Sequence, residues 1–376
     1  MWSIFKTFFF LGWISFGGPA AHIGYFRQNF VEKRKWLDDS EYAQIVALSQ
    51  FLPGPGSSQV GFALGYKKGG LAGAFGAFLG FTLPSVMIML LLAMVSSRLL
   101  DSEMYQAVVH SLKLFAVVVV ADATLGMYKN FCKTKLTSGL CVTTAIALLL
   151  LPQISTQIIV LLIVGLIGSR FLVSSPTKVI EPFKPSVLPL LLFALLLFGL
   201  PLFAHYQPLL GIFSDFFQAG SLVYGGGHVV LPLLQGLVGD QVSQDAFLTG
   251  YAAAQAVPGP MFTLATYIGY EMSATPVLGA LVATVAVFLP GFLLLLGVLK
   301  NWERLAGKPR VAGAINGVNA SVVGLLLAAL YQPVFSSAVS SPVDIAIVIA
   351  GFYLHKKLNL SVLWTILFFV VIGAVI

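Results

Sequence analysis

FFFLGWISFGGP (8–19) and YAQIVALSQFLPGP (42–55) recur later in the chain as FFQAGSLVYGGG (216–227) and FLTGYAAAQAVPGP (247–260). The first pair keeps both leading Phe residues and three Gly; the second keeps an Ala, the Gln and the whole Pro-Gly-Pro. A Leu-Pro pair follows about one span later in each half, at Leu83-Pro84 and Leu289-Pro290. One apolar match could arise by chance. Three matches in the same order and spacing indicate an internal duplication.

The surroundings of these stretches place the chain in a membrane. Of 376 residues, 58% are hydrophobic and 9% charged, with a mean hydropathy of +0.94. A soluble domain carries about a quarter of its residues charged, so these charges cannot clothe a water-soluble surface. The net charge of +7 comes from short Lys and Arg clusters between apolar runs. Such clusters read as topology signals rather than a nucleic-acid footprint, and no nucleic-acid partner is expected. Two Cys residues, Cys132 and Cys141, suggest neither a disulfide framework nor a Cys-based metal site. The apolar N-terminus lacks a convincing small-residue cleavage site and is expected to be retained.

Apolar runs suited to crossing the hydrocarbon lie near 69–97, 105–127, 136–151, 157–173, 187–204, 275–299, 311–331, 342–354 and 360–376. Four more are broken in the middle: 3–26 by Gly17-Gly18-Pro19, 41–66 by Pro53-Gly54-Pro55, 212–238 by Gly225-Gly226-Gly227, and 245–270 by Pro258-Gly259-Pro260. Proline removes a helix donor and glycine weakens a helix, so each triplet should interrupt one. The fold class expected is an all-α polytopic membrane protein with broken or re-entrant helices in each half.

Charge placement sets the orientation. Putting Lys67-Lys68, Lys129/Lys133/Lys135, Arg170 with Lys178 and Lys184, Lys300/Arg304/Lys308/Arg310 and Lys356-Lys357 in the cytoplasm lets successive spans alternate without conflict. The span from 69 then leaves the cytoplasm while its counterpart from 275 enters it. The repeats are therefore expected to be inverted, with the single span at 187–204 turning the second copy over. Four hairpins are favoured over complete crossing for the broken segments, because hairpins keep Arg27 and Lys33 to Lys35 inside.

Helix breaks leave backbone N–H groups without partners, and lipid supplies none, so breaks persist only inside protein or beside water. Half-helix N-termini attract anions, and glycine lets an oxyanion approach the backbone. Polar groups gather at the same places. Ser15, Gly17, Gly18 and His22 surround the first break, Gly54, Ser57, Ser58 and Gln59 the second, Gly225, Gly226, Gly227 and His228 the third, and Gly259 and Thr263 the fourth. Gln50 and Gln255 occupy equivalent repeat positions. These residues point to a small polar anion as substrate. The competing reading takes the breaks as packing kinks and His22 and His228 as structural residues. Lys113, inside a predicted span, is either a counter-charge or a snorkelling side chain; Asp122, nine residues on, lies on roughly the opposite face.

Several classes lack their signatures. The one Gly-Lys pair, Gly307-Lys308, precedes Pro309, so no phosphate-binding loop is present. No H-E-x-x-H pair or G-x-S-x-G elbow occurs. No enzyme activity, cofactor or metal is expected. A membrane enzyme, or a scaffold whose cavity binds lipid headgroups, is the reading from another class.

FGGPAAHIGYF (16–26), VEKRKWLDDSEYAQIVALSQFLPGPGSSQVGFALG (31–65), YGGGHVVLPLL and AQAVPGPMFTLATYIGY together resemble the chromate ion transporter (CHR) family in its two-domain long form. The resemblance covers nearly the whole chain. It implies a first CHR-type repeat at 1–173, a linker with one connecting transmembrane helix at 174–211, and a second, inverted repeat at 212–376. It also implies a secondary transporter of the inner cell membrane that exports chromate and confers resistance, in exchange for sulfate or coupled to the potential or to protons. Chromate, with sulfate as the alternative oxyanion, and the lipid bilayer are the expected partners, and a homodimer is compatible with the chain. The second repeat has no match for Trp36 or for Lys33 to Lys35, so the halves should differ at the surface.

Overall fold

The computed structural model describes residues 1–16, 18–99, 103–173, 185–224, 230–239, 241–299 and 308–375. The described secondary structure is helical throughout. The first half contributes α1 (Trp2–Ile14), α2 (Gly18–Phe26), α3 (Asp39–Phe51), α4 (Gly56–Leu99), α5 (Glu103–Phe131), α6 (Lys135–Leu150) and α7 (Ile154–Phe171), and α8 (Val187–Phe203) follows. The second half contributes α9 (Pro208–Leu222), α10 (Val230–Val238), α11 (Gln244–Ala256), α12 (Leu264–Met272), α13 (Pro276–Val298), α14 (Pro309–Ala329), α15 (Pro342–Lys356) and α16 (Val362–Val375). Among the described residues, five helices or helix stretches are long and apolar enough to cross a membrane: Gly56–Ser96, Gln106–Phe131, Val187–Tyr206, Pro276–Val298 and Pro309–Ala338. The chain is a multi-pass membrane protein, as its hydropathy indicates.

Three of the broken segments are interrupted at their triplets, and the third triplet, Gly225-Gly226-Gly227, lies outside the described residues, between two described helices. α1 ends before Ser15 and α2 begins at Gly18; α3 ends at Phe51 and α4 begins at Gly56. In the second half, α9 ends at Leu222 and α10 begins at Val230, while α11 ends at Ala256 and α12 begins at Leu264 after a short 3-10 turn. α4 is itself two limbs, because Gly69 and Gly70 (φ +60°) leave helical geometry where the two-lysine turn bends the chain. A residue other than glycine would be strained there.

The helices form two compact units, and each draws on both halves of the sequence. The first comprises Met1–Ala93, Lys178–Val230 and Val257–Gly307; the second comprises Met94–Thr177, Leu231–Ala256 and Lys308–Ile376.

In the first unit the broken segments of the first half turn back on themselves. Phe8 of α1 packs on Phe26 and Phe30, with ring centroids 5.6 and 4.8 Å apart. Lys67, at the end of the second broken segment, pairs with Glu41 at its start, and the Lys68 ammonium lies 5.6 Å from the centre of the Trp36 ring. Both segments thus fold back so that their two arms lie side by side. An Asp38/Glu41 capping box starts α3, satisfying two N–H groups that a helix end leaves open. A phenylalanine seam joins the halves, with Phe62 stacked on Phe292 at 4.2 Å and Phe78 against Phe288 and Phe292. The connecting helix α8 buries none of its residues and packs on α9 and α13, leaving most of its apolar surface for lipid.

In the second unit α14 packs against α6 and α7. Glycine makes this possible: a Cβ at Gly168 would stand 2.4 Å from the Gly313 carbonyl oxygen, and one at Gly324 would stand 2.2 Å from that of Cys141. Such close backbone approach replaces the hydrophobic drive that is weak between helices in lipid. Three ionisable groups of α5 find partners on helices of the second half. His110 meets Asp344 at 2.8 Å, Lys113 meets Asp245 at 2.8 Å, and Asp122 meets Lys356 at 2.5 Å. Buried charges require such pairing.

Candidate functional site

The breaks of the first unit are bonded reciprocally. The N–H of Gly54 donates to the Val223 carbonyl at 2.7 Å, and the N–H of Gly259 donates to the Ser15 carbonyl at 2.9 Å. Gly54 and Gly259 are the central residues of the two Pro-Gly-Pro turns, and Ser15 and Val223 are the aligned residues that end α1 and α9. Each turn therefore satisfies a carbonyl left open by the break of the other half. The packing repeats this exchange. A Cβ at Gly54 (φ +119°) would lie 2.9 Å from the Gly291 Cα, and one at Gly259 (φ +100°) would lie 2.9 Å from Ser85 Oγ. Gly291 and Ser85 each follow the Leu-Pro pair of their own half. Gly12 and Gly220 likewise fit against Pro84 and Pro290.

Polar side chains are buried around these turns. His22 is fully buried, with Nε2 3.1 Å from the Ser15 carbonyl oxygen and Nδ1 3.1 Å from Ser57 Oγ. A carbonyl only accepts, so Nε2 carries the proton; in the neutral ring Nδ1 then accepts from the Ser57 hydroxyl. Phe81 stands edge-on to the imidazole at 5.1 Å. Ser15 Oγ, Ser58 Oγ, Thr82 Oγ1 and Gln59 Oε1 are buried without a hydrogen-bond partner. Gln59 donates through Nε2 to the carbonyls of Pro53 at 2.9 Å and Gly291 at 3.1 Å. Thr263 is buried and bonded within its own turn, to the Pro260 carbonyl at 2.8 Å. α4 begins at Gly56, so the N–H groups of Gly56, Ser57 and Ser58 precede any acceptor within that helix.

The first unit thus brings together Ser15, His22, Gly54, Ser57, Ser58, Gln59, Gly259 and Thr263. Gly18 (φ +75°) borders the cluster's first break, with no atom within 4 Å of an added Cβ. Gln50 is exposed on α3 and is separate from the buried group. Gln255 belongs to the second unit, where its side chain bonds Tyr251. Lys113 also belongs to the second unit and spends its charge on Asp245. Gly17, Gly225, Gly226, Gly227 and His228 lie outside the described residues. Sequence reasoning missed Thr82 and Ser85, whose hydroxyls flank Pro84. The Leu83-Pro84 match was the available signal, since proline frees a carbonyl near which hydroxyls gather.

The second unit has a cavity of about 540 Å³, with Gln157, Gln235, Gln244 and Gln332 in its wall and no charged side chain among its lining residues. It contains neither Pro-Gly-Pro turn. The first-unit cluster, in contrast, combines helix ends, orphaned hydroxyls and neutral amides, a donor set that can hold an anion without a formal positive charge.

Comparison with known proteins places the chain in a family. A model of the family described as Chromate transporter matches residues 2–169 and again 210–374. The chain belongs to the chromate transporter family, in its long, duplicated form. An uncharacterized transporter of Methanocaldococcus jannaschii is 28% identical over all of this chain and 94% of its own length. A probable chromate transport protein of Synechococcus elongatus is 30% identical over 86% of this chain and 82% of its own. A chromate transport protein of Cupriavidus metallidurans is 26% identical over 93% and 87%. No solved structure matches. For this transporter each family segment contains one copy of the repeated motifs, while the compact units each draw on both segments.

Proposed function

We propose that this transporter exports chromate from the cytoplasm across the inner membrane and so confers chromate resistance, binding the oxyanion at the duplicated breaks. The reciprocal bonding of the Pro-Gly-Pro turns, with unpartnered hydroxyls beside them, carries this reading. Buried polar groups are normally satisfied, and orphaned ones cluster where a ligand or water completes them. The matching exchange of contacts between aligned positions supports an inverted pair, 1–173 and 212–376, related by a local two-fold operation with 174–211 as linker.

Export needs no ATP. A dianion leaving a cell that is negative inside gains about 2.3 kcal/mol per charge per 100 mV, about 4.6 kcal/mol in all, enough for a gradient above about a thousandfold. One-for-one exchange with sulfate would be electroneutral and would forgo that drive. Counterflow in proteoliposomes with chromate, sulfate and phosphate, at set potential and pH, tests the reading. Chromate-driven counterflow supports it. Sulfate movement without chromate movement would make this a sulfate carrier, and movement of neither would favour a scaffold or a lipid-binding cavity.

A further inference from the structure

Gln59 stands in the first turn of α4 and is fully buried. Its Nε2 donates to two carbonyl oxygens, those of Pro53 and Gly291. Carbonyls only accept, so turning the amide over would set Oε1 against both and waste two hydrogen bonds. The orientation is therefore fixed, and Oε1 is an obligate acceptor. It is buried and has no hydrogen-bond partner. The same turn carries donors: the unpartnered Ser58 hydroxyl and the N–H groups that open α4.

A fully ionised oxyanion offers only acceptors, which repel a fixed acceptor in a buried site. A singly protonated one offers an O–H. We propose, resting on the chromate reading above, that the species bound at the Pro53–Pro55 break is the monoprotonated tetrahedral oxyanion, hydrogen chromate. Its O–H donates to Gln59 Oε1, and its other oxygens accept from Ser58 Oγ and the first-turn N–H groups. The four residues after the second Pro-Gly-Pro are Met261, Phe262, Thr263 and Leu264, the last aligned with Gln59. None of them carries an amide side chain, so the pair of turns supplies one such acceptor for one proton.

Selectivity follows from acid strength. Hydrogen chromate is abundant near neutral pH, whereas sulfate and selenate take up a proton only in strong acid. Size does not separate these anions, but a buried group left unpaired does, by several orders of magnitude in the best cases. Transport of the monoanion halves the electrical drive, leaving about a fiftyfold gradient per 100 mV.

Other groups at the site could also impose a pH dependence. From α2 comes His22, bonded to Ser57 and Ser15. α4 itself brings Ser57, Ser58, Phe81, Thr82 and Ser85, none titratable in this range, and α13 brings Gly291 and Phe292. Beside Val223 is Tyr224, whose phenol ordinarily titrates near pH 10.

The experiment is chromate counterflow into proteoliposomes at equal internal and external pH, varied between about 5.5 and 8.5, with the potential clamped. KM in total chromate should rise about tenfold per pH unit above the hydrogen chromate pKa, with kcat unchanged, and stay constant in hydrogen chromate. Sulfate and selenate should inhibit at least about 100-fold more weakly than chromate at pH 6. Gln59→Met, similar in length without the acceptor, should flatten the pH slope and lower the chromate-to-sulfate preference at least about tenfold. His22→Gln should keep the slope; its loss there would assign the titration to His22 and overturn the proposal. A flat wild-type profile, or sulfate competing as well as chromate, would overturn it too. Wild-type vesicles that move no chromate at any pH would instead refute the transport reading itself. The wild-type profile decides even where a variant fails to accumulate.

Discussion

Gly54→Ala separates a functional break from a tolerant kink. Gly54 has φ +119°, a region that side chains with a Cβ rarely occupy, and strain of this kind costs about 1–3 kcal/mol. The added methyl would stand 2.9 Å from the Gly291 Cα and 3.1 Å from Gln59 Nε2. The first contact is backbone and cannot swing aside. The second would press on the amide that bridges Pro53 and Gly291. Relief requires the turn to shift, which endangers the 2.7 Å bond from Gly54 to Val223, a further loss of about 0.5–1.5 kcal/mol. Together these destabilise the binding-competent turn by about 2–4 kcal/mol, or about thirtyfold to a thousandfold in apparent chromate affinity if the turn must hold this shape to bind. Gly18→Ala is the internal control: φ is +75° but no atom lies within 4 Å of the new methyl, so only αL strain of about 1–2 kcal/mol applies. Equilibrium chromate binding to purified protein, with thermal unfolding in detergent measured alongside, compares the two. Equal losses in both variants, or near-normal binding in Gly54→Ala, would refute the argument that turn geometry holds the site.

Further outcomes are expected elsewhere in the chain. Impermeant thiol reagents should label Lys129→Cys and Lys356→Cys from the cytoplasm and Ser155→Cys and Gln207→Cys from outside; same-side labelling of 129 and 155 would sink the inverted topology. Lys113→Gln should change chromate affinity no more than the Ser57→Ala, Ser58→Ala pair, each lost neutral hydrogen bond costing about 1–3 kcal/mol, because Lys113 is already paired with Asp245. A severe loss in Lys113→Gln with normal binding in the double serine variant would move the site. Gly269→Leu, whose Cβ would meet the Gly279 carbonyl oxygen at 2.6 Å, should prevent accumulation through overpacking, as immunoblots of membranes would read.

The spans, the four breaks and the duplication were legible in the sequence because their causes are local. Hydrocarbon selects apolar runs, and a Pro-Gly-Pro interrupts a helix wherever it falls. The observed helices accordingly start and stop within a few residues of the expected runs. Partner choice was not legible. A carbonyl at a break accepts from any donor that packing delivers, and only the folded chain gives Ser15 to Gly259 and Val223 to Gly54. Lys113 looked like a candidate counter-charge until Asp245, 132 positions away, was found beside it. Gln59 was legible only as a polar group at the second break; tertiary contacts with Pro53 and Gly291 consume its N–H groups and leave an acceptor. The sequence by itself determined where the backbone lacks partners; the tertiary structure decided which groups satisfy it, because hydrogen bonds between distant segments depend on how helices pack rather than on their residues' order.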